Sequence, residues 1–130
     1  MIDEEVSSSD LVCLLYDVDK SVRNTATIEL GTRGSDGFLA ALPLLSDESW
    51  IIRYRACEII GMTKQLETFP MLLEMLADPS DHVRYMAVKG LGIFGDPRAL
   101  PEIIHMLKDE NQFVRHIAWK VATKLSEPSE

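Results

Sequence analysis

The 130-residue sequence has no apolar run near the roughly 18 residues that a membrane-spanning helix needs. Its first ten residues, MIDEEVSSSD, are acidic and lack the basic-then-apolar order of a secretory signal, so the expected compartment is the cytoplasm and no membrane partner is expected. Cysteine is scarce: Cys13 and Cys57 stand 44 positions apart, with no metal-binding or redox spacing, and both are read as reduced, buried structural residues. Basic residues are few, 13 against 21 acidic, and the formal net charge of −8 disfavours a phosphate backbone as partner. The acids crowd the ends, at Asp3, Glu4, Glu5 and Asp10 and again at Glu127 and Glu130. No stretch alternates polar and apolar residues in the manner of a strand. No Ser/His/Asp or Cys/His set, phosphate loop or paired-carboxylate motif can be assembled, so no catalytic residue, cofactor or metal site is assigned, and the chain is not expected to be an enzyme.

What the sequence has in place of these is a repeat. An Asp followed six residues later by Arg occurs as Asp17/Arg23, Asp47/Arg53, Asp78/Arg84 and Asp109/Arg115, in steps of 30, 31 and 31 residues. A β-branched residue precedes each Arg (Val22, Ile52, Val83, Val114) and an Ala follows it by three (Ala26, Ala56, Ala87, Ala118). Four positions further stand Leu30, Ile60, Leu91 and Ala122, and next to them Gly31, Gly61, Gly92 and Thr123.

Each copy has helical periodicity: Val83, Ala87, Gly90, Leu91 and Phe94 share one face at 3.6 residues per turn. Asp78 is the expected N-cap, with Pro79 at the first helical position. Gly95 is the expected left-handed stop, followed by a second start at Asp96-Pro97. The segments FLAALPLL, FPMLLEML and LPEIIHML, with Pro43, Pro70 and Pro101, read as shorter helices between the copies, and SSDLVCLLYD as the opening one. The predicted layout is eight helices in four antiparallel pairs, 8–16/19–32, 37–46/49–62, 67–77/79–94 and 98–108/111–125. These form repeats at about 8–32, 37–62, 67–94 and 98–125 of a single domain, with an acidic tail at 1–7 and a second tail at 126–130. An amphipathic pair cannot bury both faces alone, so the pairs are expected to stack into a short all-α solenoid.

Within that repeat, residues 90–95 spell Gly-Leu-Gly-Ile-Phe-Gly, the G-x-G-x-x-G spacing of a dinucleotide-binding turn, with Asp109 and Glu110 about twenty residues on. Such a turn follows a strand and opens a helix. These glycines instead end a helix, where carbonyls and partial negative charge repel phosphate. Gly92 belongs to the repeat and Gly95 is the stop. Gly90 alone is peculiar to its copy, a helix-interior glycine marking a tight contact or a soft spot.

The pattern carried by Asp78, Val83, Arg84, Ala87, Leu91, Gly92, Gly95, Asp96, Pro97, Ala99, Leu100 and Pro101 resembles the HEAT-like repeat of the phycobilin-lyase type, over about residues 11–125. The resemblance implies that the Asp/Arg pairs form a structural ladder along the stack and that the second helix of each pair lines a concave surface. It also raises functions as different as scaffolds, lyase chaperones, hydroxylases and DNA glycosylases. HEAT-like deoxyhypusine hydroxylases hold iron with His-Glu pairs, and no His-Glu dipeptide occurs here. A two-histidine site of His82 and His116 would lack a clear third ligand.

On the concave surface the residue before the β-branched position, and those one, two and five after Arg, are expected to be exposed. They are Ile51, Tyr54, Arg55 and Glu58 in the second copy, His82, Tyr85, Met86 and Lys89 in the third, and Phe113, His116, Ile117 and Lys120 in the fourth. The first copy shows mostly polar Ser21, Asn24, Thr25 and Ile28, as a terminal repeat would. Aromatic, Met and Arg enrichment is the composition of protein-binding surfaces. The expected function is therefore a non-catalytic interaction module or scaffold that holds a segment of a protein or peptide partner. Two alternatives stand beside it: nucleic acid on the same face, where the fourth helix carries Arg115, Lys120 and Lys124 and no acid, and a tetrapyrrole lyase-accessory role implied only by the resemblance. Trp119 replaces Cys57 and Val88 of the earlier copies and faces the place of a fifth repeat. Either the tail SEPSE covers it or the C-terminal helix meets another chain, in a homodimer or a partner complex.

Overall fold

The computed structural model describes residues 6–128. Its helices are α1 (Ser8–Leu14), α2 (Lys20–Gly31), α3 (Ser35–Ala41), α4 (Trp50–Thr63), α5 (Thr68–Met75), α6 (Asp81–Phe94), α7 (Leu100–His105) and α8 (Gln112–Ser126). Short 3-10 segments extend α3 (Leu42–Ser46) and flank α7 (Pro97–Ala99 and Met106–Lys108). No strand occurs among the described residues. The odd-numbered helices pack on their even-numbered partners, and α2, α4, α6 and α8 pack side by side in that order. The chain is thus an all-α stack of four helix pairs, in the predicted order and within about two residues at most boundaries. The tail residues Asp3, Glu4, Glu5 and Glu130 lie outside the described region.

Burial follows the repeat. Leu11, Leu15, Leu30, Ile59, Ile60, Leu72, Val83, Leu91, Ile103 and Val114 are fully enclosed in one core that runs the length of the stack. Cys57 belongs to it, and burial pushes its thiol up to about 12, which keeps it unreactive. Cys13, expected inside, is exposed on the short helix α1.

The expected stop of α6 and the expected start after it both hold. Gly95 takes φ 82° and its N–H donates to the Leu91 carbonyl at 3.0 Å. Asp96 caps the turn after it, accepting from the Arg98 N–H at 2.9 Å. The expected start of α6 does not hold: the helix begins at Asp81, with Ser80 and not Asp78 at the cap position. Asp78 makes a tighter local turn, accepting the Ser80 N–H at 2.9 Å. Its siblings Asp17, Asp47 and Asp109 likewise accept the N–H two residues on, at 2.8, 3.0 and 3.0 Å. This Asx turn holds one side of the carboxylate against the backbone while the group still faces the neighbouring pair.

That arrangement builds the ladder. Arg53 donates from Nε and Nη2 to the two Asp78 oxygens at 2.8 and 3.1 Å, and Arg84 does the same to Asp109 at 2.9 and 3.2 Å. Each rung joins one pair to the next, over 25 residues of chain. Each Arg also ties down its own loop, since Nη1 of Arg23, Arg53, Arg84 and Arg115 donates to the carbonyl of Asp17, Asp47, Asp78 and Asp109 at 2.8 to 2.9 Å. The bidentate bond to Asp109 holds the Arg84 guanidinium above its ordinary range, and Asp78 does so for Arg53. The first junction differs. The Asp47 carboxylate accepts from the Tyr16 hydroxyl at 2.8 Å, and the Arg23 Nε has no partner. At the far end Arg115 keeps its own loop bond and lies exposed.

The glycines set helix spacing. A methyl group added at Gly61 would lie 3.2 Å from the Gly90 Cα, so α4 and α6 touch backbone to backbone. Gly90 therefore marks a tight contact, the first of the two readings open to it.

Candidate functional site

Helices α2, α4, α6 and α8, the inner helices of the pairs, start along one side of the stack, and residues of their first turns line a groove. Trp50 opens α4 and lies flat against His82 of α6, with ring centroids 4.2 Å apart and planes 15° off parallel. One turn further in, Tyr54 and Tyr85 are half-buried. Burial, followed by the charge of Glu58, raises the Tyr54 phenol above its ordinary value. Phe113 projects from the first turn of α8, 64% exposed.

Tyr54, Asp81, His82, Tyr85, Asn111 and Phe113 line a cavity of about 470 Å³. A second hollow of about 480 Å³ shares Tyr54 and His82 with it and continues past Trp50, Ile51 and Glu58 toward Lys20 and Asn24 on α2. The groove thus crosses all four inner helices. Asn111 fixes its wall twice: its Oδ1 accepts the Phe113 and Val114 N–H groups at 2.8 and 3.1 Å, and its Nδ2 donates to Asp81 Oδ2 at 2.8 Å. The other Asp81 oxygen lies 3.6 Å from His82 Nε2.

Of the residues expected to be exposed, Ile51, Tyr54, His82, Tyr85 and Phe113 come together in this groove. Lys89, His116 and Lys120 are exposed but line neither hollow. Met86 (2% exposed), Ile117 (9%) and Arg55 (8%) correct the expectation. Two residues after Arg, the helix has turned roughly 70° from the centre of the exposed stripe, and Met86 and Ile117 join the core there. Thr25 holds the same position and stays exposed, because no pair precedes it among the described residues. Arg55 lines the groove with its guanidinium drawn down toward Glu58 at 3.4 Å, and its buried Nε has no partner.

Trp50, Asp81 and Asn111 were not picked out in the sequence. They precede the stripe template by one or two residues, at helix starts where a residue reads as a capping or surface position. The available signal is that the template itself runs to the first turn, so its neighbours at the helix mouth must share the rim. His82 lines both hollows and His116 neither, and no group of three metal-ligating side chains occurs among the described residues.

At the C-terminal face, Trp119 is 60% exposed where Cys57 and Val88 are enclosed. Glu127 and Pro128 lie along the shallow groove beside it without covering it, and residues 129–130 lie outside the described region.

No described helix is long and apolar enough to cross a membrane. A family model described as HEAT repeats matches residues 38–123. No curated protein matches the chain. Among solved structures, human deoxyhypusine hydroxylase is similar at a TM-score of 0.73 and 21% identity, over 95% of this chain and 47% of that one. The chain therefore spans about half the hydroxylase's length. The complex of CpcE and CpcF of phycocyanin lyase from Nostoc sp. PCC7120 is similar at a TM-score of 0.58 and 18% identity, over 98% of this chain and 68% of that one. Identities this low carry the fold and not the activity. With its matched residues covering well over half its length and its four stacked pairs, the chain belongs to the HEAT repeat family.

Proposed function

We propose that the chain is a non-catalytic interaction module that holds a segment of a partner protein in the groove across α2, α4, α6 and α8. One observation carries the reading: Trp50, Tyr54, His82, Tyr85 and Phe113, from the adjacent helices α4, α6 and α8, line one continuous groove on a scaffold whose repeated residues serve packing and the ladder. Tyr54 and Tyr85, already half-buried, lose little freedom on binding, which is what interface anchors require.

The nucleic-acid alternative draws less support. Lys124 Nζ donates to the Gly92 carbonyl at 2.7 Å and Arg115 to its own loop, so two of the three cations on α8 are engaged within the fold. A phosphate-binding face needs several such cations free. For a tetrapyrrole role, the groove offers no residue that favours it over a peptide.

The test is a Tyr54→Ala/Tyr85→Ala variant, checked for a native circular-dichroism spectrum and used beside the wild type in quantitative affinity capture. Retention of the wild type's partners is expected to drop at least about tenfold, the scale of a hot-spot loss. An unchanged partner set would refute the proposal.

A further inference from the structure

The cavity at the mouth of α4, α6 and α8 has a chemistry that an aromatic groove alone does not. Of its six lining residues three carry six-membered aromatic rings, Tyr54, Tyr85 and Phe113, one is an imidazole, His82, and one is a carboxylate, Asp81. No Lys or Arg lines it. The Tyr54 and Tyr85 hydroxyls make no hydrogen bond to the described residues, so neither ring is pinned by its polar end. Asn111 holds one Asp81 oxygen and leaves Oδ1 directed to the His82 side.

We propose that this cavity receives the guanidinium of an arginine side chain in the partner's segment. The inference rests on the reading of the groove as a peptide-binding surface and adds the chemical class of its central anchor.

Aromatic rings attract cations through their quadrupoles, and a planar guanidinium also stacks on a ring while it donates to a carboxylate. Asp81 supplies that acceptor beside the rings. An anion would find the opposite: no formal positive charge from Lys or Arg, a carboxylate in the wall, and the first amides of α8 already bonded to Asn111 Oδ1. The positive ends of the α6 and α8 dipoles act against a cation. Their partial charge falls off within a turn, however, and Asp81 sits in the first turn of α6, where it offsets that end. A purely apolar side chain could enter the cavity, but it would take solvent from Asp81 without replacing its hydrogen bonds. The net charge of −8 favours approach of a basic segment from a distance.

The probe is a short peptide, acetyl-Gly-Ser-Arg-Ser-Gly-amide, compared with the same peptide carrying citrulline, which keeps the shape and removes the charge. Each is titrated into the full chain while the ring protons of Tyr54, Tyr85 and Phe113 are followed by NMR. The arginine peptide is expected to shift all three rings saturably and to bind about tenfold more tightly than the citrulline peptide. Asp81→Asn, which keeps an oxygen for Asn111, is expected to remove most of that preference with the rest of the spectrum intact. Equal binding of the two peptides, an unchanged preference in Asp81→Asn, or no saturable shift at millimolar arginine peptide would each overturn the proposal. Failure here with partner capture still lost in Tyr54→Ala/Tyr85→Ala would remove the arginine and keep the groove. Failure of that capture test alone would remove the segment-binding reading and leave a cation site.

Discussion

Asp109→Ala is expected to lower the free energy of unfolding by about 3 kcal/mol, the scale for removing one partner of an enclosed ion pair. The Asp109 carboxylate receives two donors from Arg84 and the backbone N–H of Asn111, and both ion-pair side chains are only 10% exposed. Its loss strands a guanidinium that the stack has already taken out of water. Glu110 lies 3.8 Å from Arg84 Nη2, but its side chain is 89% exposed and can replace little of the lost bond. The cost therefore comes from the charge left behind more than from the bond removed. A double variant, Arg84→Met with Asp109→Ala, removes that charge and is expected to be no less stable than Asp109→Ala alone. Arg115→Ala, at the exposed end of the ladder, should stay within about 1 kcal/mol of the parent. Urea denaturation of the four proteins measures all of this. A double variant less stable than Asp109→Ala alone would show that the cost does not come from the stranded guanidinium, contrary to the expectation.

Gly61→Val is the second large effect, a loss of about 2 to 3 kcal/mol from overpacking. The added Cβ meets the Gly90 Cα at 3.2 Å, and the next nearest atoms are Gly90 backbone too. Backbone in the middle of a helix cannot step aside, so α4 and α6 must part and loosen the core around Cys57 and Leu72. Gly90→Ala adds its methyl group toward Leu72 and not toward Gly61, and it behaves differently. Its Cβ would come 2.8 Å from Leu72 Cδ1, the end of a side chain that can rotate. Ala in place of a helical Gly also gains about 1 kcal/mol of helix propensity. The two effects oppose each other, and Gly90→Ala is expected to remain within about 1 kcal/mol of the parent in the same denaturation series. Equal losses for Gly61→Val and Gly90→Ala would contradict this account of which atoms can yield.

The stack was legible because its determinants recur. Asp, β-branched residue, Arg, Ala and Gly hold fixed offsets in copy after copy, and each offset maps to one packing or hydrogen-bonding task. The turn made by Asp78 was misread as a cap, since an Asp before Pro fits both, and only the ladder's need for a free carboxylate separates them. The candidate groove was legible where the helical wheel decides exposure, at Tyr54, His82, Tyr85 and Phe113. At Arg55, Met86 and Ile117 the wheel places a residue on the border of the stripe. There the roll of each helix against its predecessor decides, and a single helix's sequence does not encode that roll. The Asp81–Asn111 bond joins different positions of adjacent repeats, so a search that compares equivalent positions passes over it.

The Tyr16–Asp47 hydrogen bond has a dynamic consequence. Arg23 and Asp47 are 24 residues apart where the other rungs span 25, and a single phenol at the exposed edge replaces a forked ion pair. A linear array fails first at its weakest seam. Helices α1 and α2 are therefore expected to open as a unit while the other three pairs stay closed, with amide hydrogens in α2 exchanging well ahead of those in α4 and α6. Uniform exchange protection across all four inner helices would show that the seam is as tight as the rest. If α2 does open first, the end of the groove bearing Lys20 and Asn24 can swing aside. A long segment could then be admitted sideways, without threading.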